Sequence, residues 1–251
     1  LCEAIAGFKR VAVAFSGGVD SSLLLAAARM VHGEQVLALH GRSPLQAAGE
    51  YDKAMGIAVD LGCRPLVINL DPYSWPEVTA NSARRCYHCK LRLYRLFLAR
   101  AADHDCKVLL DGTNLSDLGK DRPGLAALRE LQVRTPLTEV GLDKGMVRSM
   151  ARHRKLANWD KPAASCLATR VMDGQPITRD KIALVARGEE FLRGKKFSGC
   201  RFRHHGHCCR IEVQVDDFPR LEESSTWLEI DGFCRKLGFG QVERGKRPPE
   251  G

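Results

Sequence analysis

A chain of 251 residues, 44% of them hydrophobic and 27% charged, is long enough for one large or two ordinary packed domains. No apolar run approaches the roughly 20 residues needed to span a bilayer and no secretory apolar region opens the given sequence, so no membrane association and a cytoplasmic location are expected. The formal net charge of +9 suits an anionic partner (a nucleotide, a phosphorylated small molecule or RNA) without choosing among them. Ten cysteines are too sparse here for a secreted disulfide scaffold and read as reduced thiols, some binding metal or handling sulfur.

In chain order, residues 1–9 read as the end of an amphipathic helix and 11–16 as a buried strand. The strand runs into Ser16-Gly17-Gly18-Val19-Asp20-Ser21, and an apolar helix follows over 19–32. Two glycines let the backbone turn sharply and present N–H groups, the serines add hydroxyls, and the helix start favours an anion. An ordinary strand–helix turn with a serine cap fits Ser-Gly-Gly as well; a Walker loop does not, because no Gly-Lys-Ser/Thr closes it. Residues 35–40 and 64–70 read as further strands, with a helix over 45–61 between them. Strands alternating with helices predict an α/β fold with a doubly wound, mostly parallel sheet, whose ligands bind at the carboxyl ends of strands.

Cys86 and Cys89 form a C-x-x-C ahead of a helix read over 91–104. That spacing lets two sulfurs meet one metal centre or form a redox pair, and Arg84, Arg85 and Lys90 favour the thiolate. A fourth strand over 107–110 leads into 111–117, where Gly112, Thr113 and Asp117 either reach over the same nucleotide or form an Asx-type turn that caps a helix. A helix over 125–131, an extended segment over 136–139 and a basic helix over 144–153 follow. Cys166 lies among small residues with Lys161 and Arg170 nearby, which suits a substrate-facing thiolate as well as a buried structural cysteine.

The character then changes, and the chain divides into domains at 1–169 and 170–251, the second a small α+β substrate or oligomerisation domain. It reads as a helix over 177–192, strands over 200–203 and 209–215, a last helix over 227–237 and a frayed tail over 246–251. The turn His204-His205-Gly206-His207 is a metal port or a solvated hairpin. Arg201 and Arg203, at period two, share one strand face and suit a phosphate or carboxylate, or simply face water. Glu189 and Glu212 either hold a divalent ion or pair with these arginines.

SGGVDS resembles the pyrophosphate loop of the ATP pyrophosphatases, which cleave ATP between its α and β phosphates. Together with RCYHCK, DGTNLSD, DRPG, PLTEVGLDKGMVR, WDKPAASCLATR and RIEV, it makes residues 8–215 similar to the LarE family. These are the ATP-dependent sulfur transferases of nickel-pincer cofactor biosynthesis. The resemblance implies ATP, Mg²⁺ and a pyridinium mononucleotide substrate whose carboxylate is adenylated and then converted to a thiocarboxylate. It assigns Ser16, Gly17, Gly18, Asp20, Ser21, Gly112, Thr113 and Asp117 to the nucleotide, with Asp20 helping to place Mg²⁺. It assigns Arg201, Arg203, Glu189 and Glu212 to substrate and metal, and Cys166 to sulfur handling, either as a sacrificed side chain or as one of three ligands, with Cys86 and Cys89, of a [4Fe–4S] cluster fed by sulfide or another sulfur donor. It also implies a homo-oligomer. A tRNA thiolase on the same scaffold is the rival, opposed by aromatic residues at only 6% and the absence of an RNA-binding module.

Overall fold

The computed structural model describes residues 1–119, 122–162 and 165–247. Its chain order begins α1 (Cys2–Ala6), β1 (Val11–Ala14), α2 (Val19–His32), β2 (Leu37–Arg42), α3 (Glu50–Asp60), β3 (Leu66–Asn69), α4 (Pro76–Thr79), α5 (Arg85–Asp103) and β4 (Val108–Leu110). It continues with α6 (Pro123–Glu130), α7 (Pro136–Glu139), α8 (Lys144–His153), α9 (Arg179–Gly194), β5 (Arg201–His205), β6 (Cys208–Val213), α10 (Phe218–Glu222), α11 (Ser224–Lys236) and β7 (Gln241–Lys246). These elements fall into two units: Leu1–Pro72 with Arg84–Ala164, and Tyr73–Ala83 with Ser165–Gly251.

The first unit is built on β1, whose four residues are all buried. Side chains alternate across a strand, so its two faces feed two cores. Val11, Val13 and the following Phe15 pack with Leu24, Leu25 and Ala28 of α2 and Ala54 and Ala58 of α3. Ala12 and Ala14 face Tyr94, Phe97 and Ala101 of α5 and Leu125 and Leu128 of α6. Helices thus cover both faces of a four-stranded sheet in the order β3-β2-β1-β4, every pairing parallel. The chain winds outward through β2 and β3, then returns to place β4 on the other side of β1. The order therefore reverses between β1 and β4, where doubly wound sheets open a crevice at their carboxyl ends.

Two local expectations are corrected here. Residues 136–139 are helical, not extended, because Pro136 stands at a first helical position that needs no N–H and Glu139 accepts the Thr135 N–H at 3.1 Å. The helix read from residue 91 begins at Arg85, so Cys86 and Cys89 lie inside its first turns.

In the second unit, β5 and β6 form an antiparallel hairpin and β7 joins β6 in parallel. Phe197, Phe202, Ile211, Val213 and Ile230 are fully buried beneath it. Phe202 lies so close to α9 that a Cβ on Gly188 would fall 2.2 Å from its ring. The expected tail starts inside β7 at Lys246, and beyond the strand the Arg247 N–H bonds to the Val213 carbonyl at 2.7 Å and its guanidinium to that of Gly199 at 2.7 Å. Residues 248–251 of that tail lie outside the described residues. The segment 73–83 joins this unit through Asn81, fully buried, whose amide donates to the Met172 and Gln175 carbonyls at 2.9 Å.

Candidate functional site

The Ser16–Ser21 loop leaves β1 at the switch point and enters α2 with Gly18 as its extended N-cap. The loop is braced from within. The Ser21 hydroxyl donates to the Gly18 carbonyl at 3.0 Å and receives the Ser16 N–H at 3.2 Å, and the two serine hydroxyls lie 3.1 Å apart. Gly17 has φ +76°, and a Cβ there would sit 2.5 Å from that of Ala54. Both observations require glycine. Asn158, 4% exposed, donates to the Gly17 carbonyl and the Ser22 hydroxyl at 3.0 Å, while its own Oδ1 has no hydrogen-bond partner among the described residues. His40, within β2, lies 2.9 Å through Nδ1 from the Phe15 carbonyl at the loop entrance. A carbonyl only accepts, so Nδ1 carries the proton. Burial lowers the His40 pKa, against a smaller raising effect of that carbonyl.

The turn after β4 closes on the same loop. A Cβ on Gly112 would lie 2.9 Å from the Ser21 nitrogen, so β4 and α2 meet backbone to backbone. Asn114 donates to Asp20 Oδ1 at 2.9 Å, and Lys144 reaches Asp20 Oδ2 at 2.5 Å. Thr113 turns both its N–H and its hydroxyl onto Asp111, and Asp117 accepts the Asn114 N–H at 3.1 Å and pairs with Arg122 at 2.7 Å. These two side chains are engaged in the turn itself, the capping role that the sequence left open, and it is Asn114 that meets the loop. Burial pushes the Asp111 carboxyl up, but Lys90 at 3.5 Å, Thr113 and the Tyr94 hydroxyl outweigh it and hold it below the usual carboxylate range. Lys90 thereby ties the C-x-x-C helix to the end of β4.

Cys86 is exposed and Cys89 half-buried, three residues apart on the α5 surface, so both sulfurs share one helix face. None of the ten cysteines is in a disulfide. Lys161, read as a cation for Cys166, pairs with Glu50 at 2.8 Å in the first unit. Cys166 belongs to the second. Ala163 and Ala164 of the same stretch, and Asp121 of DRPG, lie outside the described residues.

In the second unit, exposed Cys166 opens a short helical turn, 167–170, that is held by Arg170. The Arg170 guanidinium is 4% exposed and binds the Ser165 and Thr169 hydroxyls at 2.7 Å and Glu189 at 2.7 Å. Arg203 donates to the Thr169 carbonyl at 3.1 Å and lies 2.8 Å from Glu212, and Arg201 meets the Ser165 hydroxyl. Both glutamates thus face guanidinium groups: Arg193 also approaches Glu189 at 3.7 Å, and Arg210 lies 3.8 Å from Glu212. The contact of Glu212 with Arg203 is one the sequence allowed, whereas Glu189 meets Arg170 and Arg193 in place of Arg201 or Arg203. Among the described residues no group of three or more His, Cys, Asp or Glu side chains converges on a metal position. Burial lowers Arg201 to about 10, helped by the charges of Arg170 and Arg247 and opposed by Glu189. Such a crowd of cations suits an anion that would relieve it. The His204–His207 turn is a hairpin closed by Gly206 at φ +74°, its N–H bonded to His204 Nδ1 at 3.2 Å and the buried His204 ring set against Phe239.

Sequence reasoning passed over Asn114, Lys144, Asn158 and Arg247. Asn114 carried a signal, since Asn-x-x-Asp is a capping-box pattern and the box forms here. The other three act only through contacts distant in sequence.

No protein-family model matches the chain. A pyridinium-3,5-bisthiocarboxylic acid mononucleotide synthase from Lactiplantibacillus plantarum is 36% identical over 96% of this chain and 87% of its own length. Uncharacterized proteins of Synechocystis and Methanocaldococcus jannaschii are 32% and 26% identical over 92% and 93% of this chain, and 86% and 88% of their own lengths. With identity of that extent and coverage nearly end to end, the chain belongs to the family of the pyridinium-3,5-bisthiocarboxylic acid mononucleotide synthase.

Proposed function

We propose that the chain uses ATP to adenylate a carboxylate of pyridinium-3,5-biscarboxylic acid mononucleotide, releases pyrophosphate, and converts the acyl-adenylate to a thiocarboxylate. The observation that carries this reading is the Ser16–Ser21 loop at the switch point, closed from the β4 side by Gly112 and Asn114. Backbone N–H groups and two serine hydroxyls at a helix start suit the pyrophosphate of ATP. The family relative's name supplies the substrate class.

A carboxylate is a poor acyl donor because oxide is a poor leaving group; joined to AMP it becomes a good one. Asp20 would hold Mg²⁺ together with phosphate oxygens, and the ion would offset phosphate charge. Arg201 and Arg203 would take the substrate's phosphate or its second carboxylate, an anion that relieves the crowding around Arg201. Cys166, exposed and with its neighbours Ser165 and Thr169 fixed by Arg170, is the thiol that handles sulfur.

Cys86, Cys89 and Cys166 would hold a [4Fe–4S] cluster. Cys86 and Cys89, outside any disulfide and on one helix face, are suitable donors for such a centre. Held by three cysteines, it would leave one iron open to carry sulfide from outside. Protein purified without oxygen then contains about four iron and four sulfide per chain, lost in Cys86→Ala. It releases pyrophosphate from ATP only with the pyridinium substrate. Absence of iron in the parent protein, with Cys166 converted to dehydroalanine after one turnover, assigns the sulfur to the Cys166 side chain instead. Absence of substrate-dependent pyrophosphate release would sink the whole reading.

A further inference from the structure

The segment 136–148 resembles the family but has no role in the chemistry above, and it carries Lys144 to Asp20. We propose that Lys144 is a phosphate-binding residue held in reserve by Asp20: when ATP enters the Ser16–Ser21 loop, its ammonium passes from the carboxylate to the pyrophosphate portion, and Asp20 is left open to Mg²⁺. The inference rests on the ATP reading given above.

A loop built to take a polyphosphate has a carboxylate in its midst, and that charge repels the ligand unless it is neutralised. In the structure Lys144 supplies that neutralisation. Lys144 Nζ lies 2.5 Å from Asp20 Oδ2, with the two side chains 32% and 22% exposed. The backbone of Lys144 is fixed at the start of α8. Its N–H bonds to the Ser116 hydroxyl at 3.1 Å, and the preceding Asp143 caps the helix through the Met146 N–H at 2.8 Å. Only the four-carbon side chain needs to move. Asp20 keeps its place when the lysine leaves, because Asn114 holds its other oxygen at 2.9 Å. A half-exposed pair of this kind has little net energy to lose on separation. An anion of several charges competes well against one carboxylate for a lysine, which binds phosphate as a point charge. What remains is one anchored carboxylate beside phosphate oxygens, the usual ligand set of Mg²⁺.

The test compares the parent chain with Lys144→Met and Lys144→Arg. ATP and pyrophosphate binding are measured by calorimetry, Mn²⁺ binding without nucleotide by electron paramagnetic resonance, and melting without ligand by circular dichroism. Lys144→Met is expected to lose roughly tenfold or more in ATP and pyrophosphate affinity, the scale of one charge-assisted contact. It is also expected to bind Mn²⁺ more tightly than the parent, because Asp20 has lost its counterion. Lys144→Arg is expected to restore most of the ATP affinity. A variant with a lowered melting temperature but unchanged ATP and Mn²⁺ affinities would show a structural strap and overturn the proposal. Equal affinities with an unchanged melting temperature overturn it as well. A parent chain that binds no ATP defeats the reading on which the proposal rests, a result separate from parent and variant binding alike.

Discussion

The two units gather their polar groups by opposite means. In the first, the Ser16–Ser21 loop offers N–H groups, short hydroxyls and a glycine pressed against Ala54, with Asp20 and Lys144 as its ion pair. In the second, Arg170, Arg201, Arg203 and Arg247 crowd around Glu189 and Glu212. On the proposed reading the first would work by shape, since its donors are useful only if the backbone can come close. The second would work by charge. A methyl group should ruin one and barely touch the other, whereas removing a cation should do the reverse.

The contrast is broken hardest at Gly17. Gly17→Ala places a Cβ where Ala54 already lies and forces a side chain onto φ +76°. Substrate-dependent pyrophosphate release should fall about 100-fold or more, the scale of a displacement of about 1 Å at a reacting centre. Phosphate should still raise the melting temperature through the arginines of the second unit; loss of both responses would mean that the loop and the cluster are not separable.

Arg170→Met comes next. It leaves Glu189 buried with Arg193 as its remaining named partner, a change that typically costs about 3–5 kcal/mol. Urea denaturation should show the loss, and the double variant with Glu189→Met should recover most of it, because the stranded charge is then gone. Arg201→Met has a smaller effect of opposite sign. Burial and neighbouring cations already disfavour this guanidinium, so without anions the variant should melt at or slightly above the parent temperature. The stabilisation that added phosphate brings should shrink.

His40 gives the finest discrimination. Burial lowers its pKa below the unfolded value near 6.5, so the unfolded chain takes up the proton first. The stability this residue contributes is full above that pH and is lost as pH falls through the folded value, at no more than about 1.4 kcal/mol per pH unit. His40→Gln should flatten that part of a stability profile measured between pH 7.5 and 5.5.

The first strand, its loop and α2 were legible because their signals are local: an apolar run, two glycines, then a helix read over 19–32 and found at Val19–His32. The parallel doubly wound sheet followed from the alternation of strands and helices. β7 was not legible. Its residues, Gln-Val-Glu-Arg-Gly-Lys, were assigned no element up to Lys246, where the tail was read to start, and they become a strand by pairing with β6, where Gly245 leaves room for the Arg210 side chain. The start of α5 was missed because Arg-Cys-Tyr-His-Cys-Lys reads as a loop motif. At the candidate sites the residue types were legible and their partners were not. The contacts of Asp20 with Lys144 and Asn114 were not read, and for Glu212 the sequence left metal and arginine open, of which the contact with Arg203 is seen. Those choices depend on contacts that no sequence spacing encodes.

Asn81 bears on how such a protein can be divided. Its amide secures residues 172 and 175, more than 90 positions further on, to a short segment lying between two stretches of the first unit. A fragment ending at residue 164 would keep that segment without its partners, and one beginning at 165 would lack the segment. The units are therefore structural modules but not genetic cassettes: exchange of the second between relatives would require two cuts and a transplanted insert, so recombination should have moved them together.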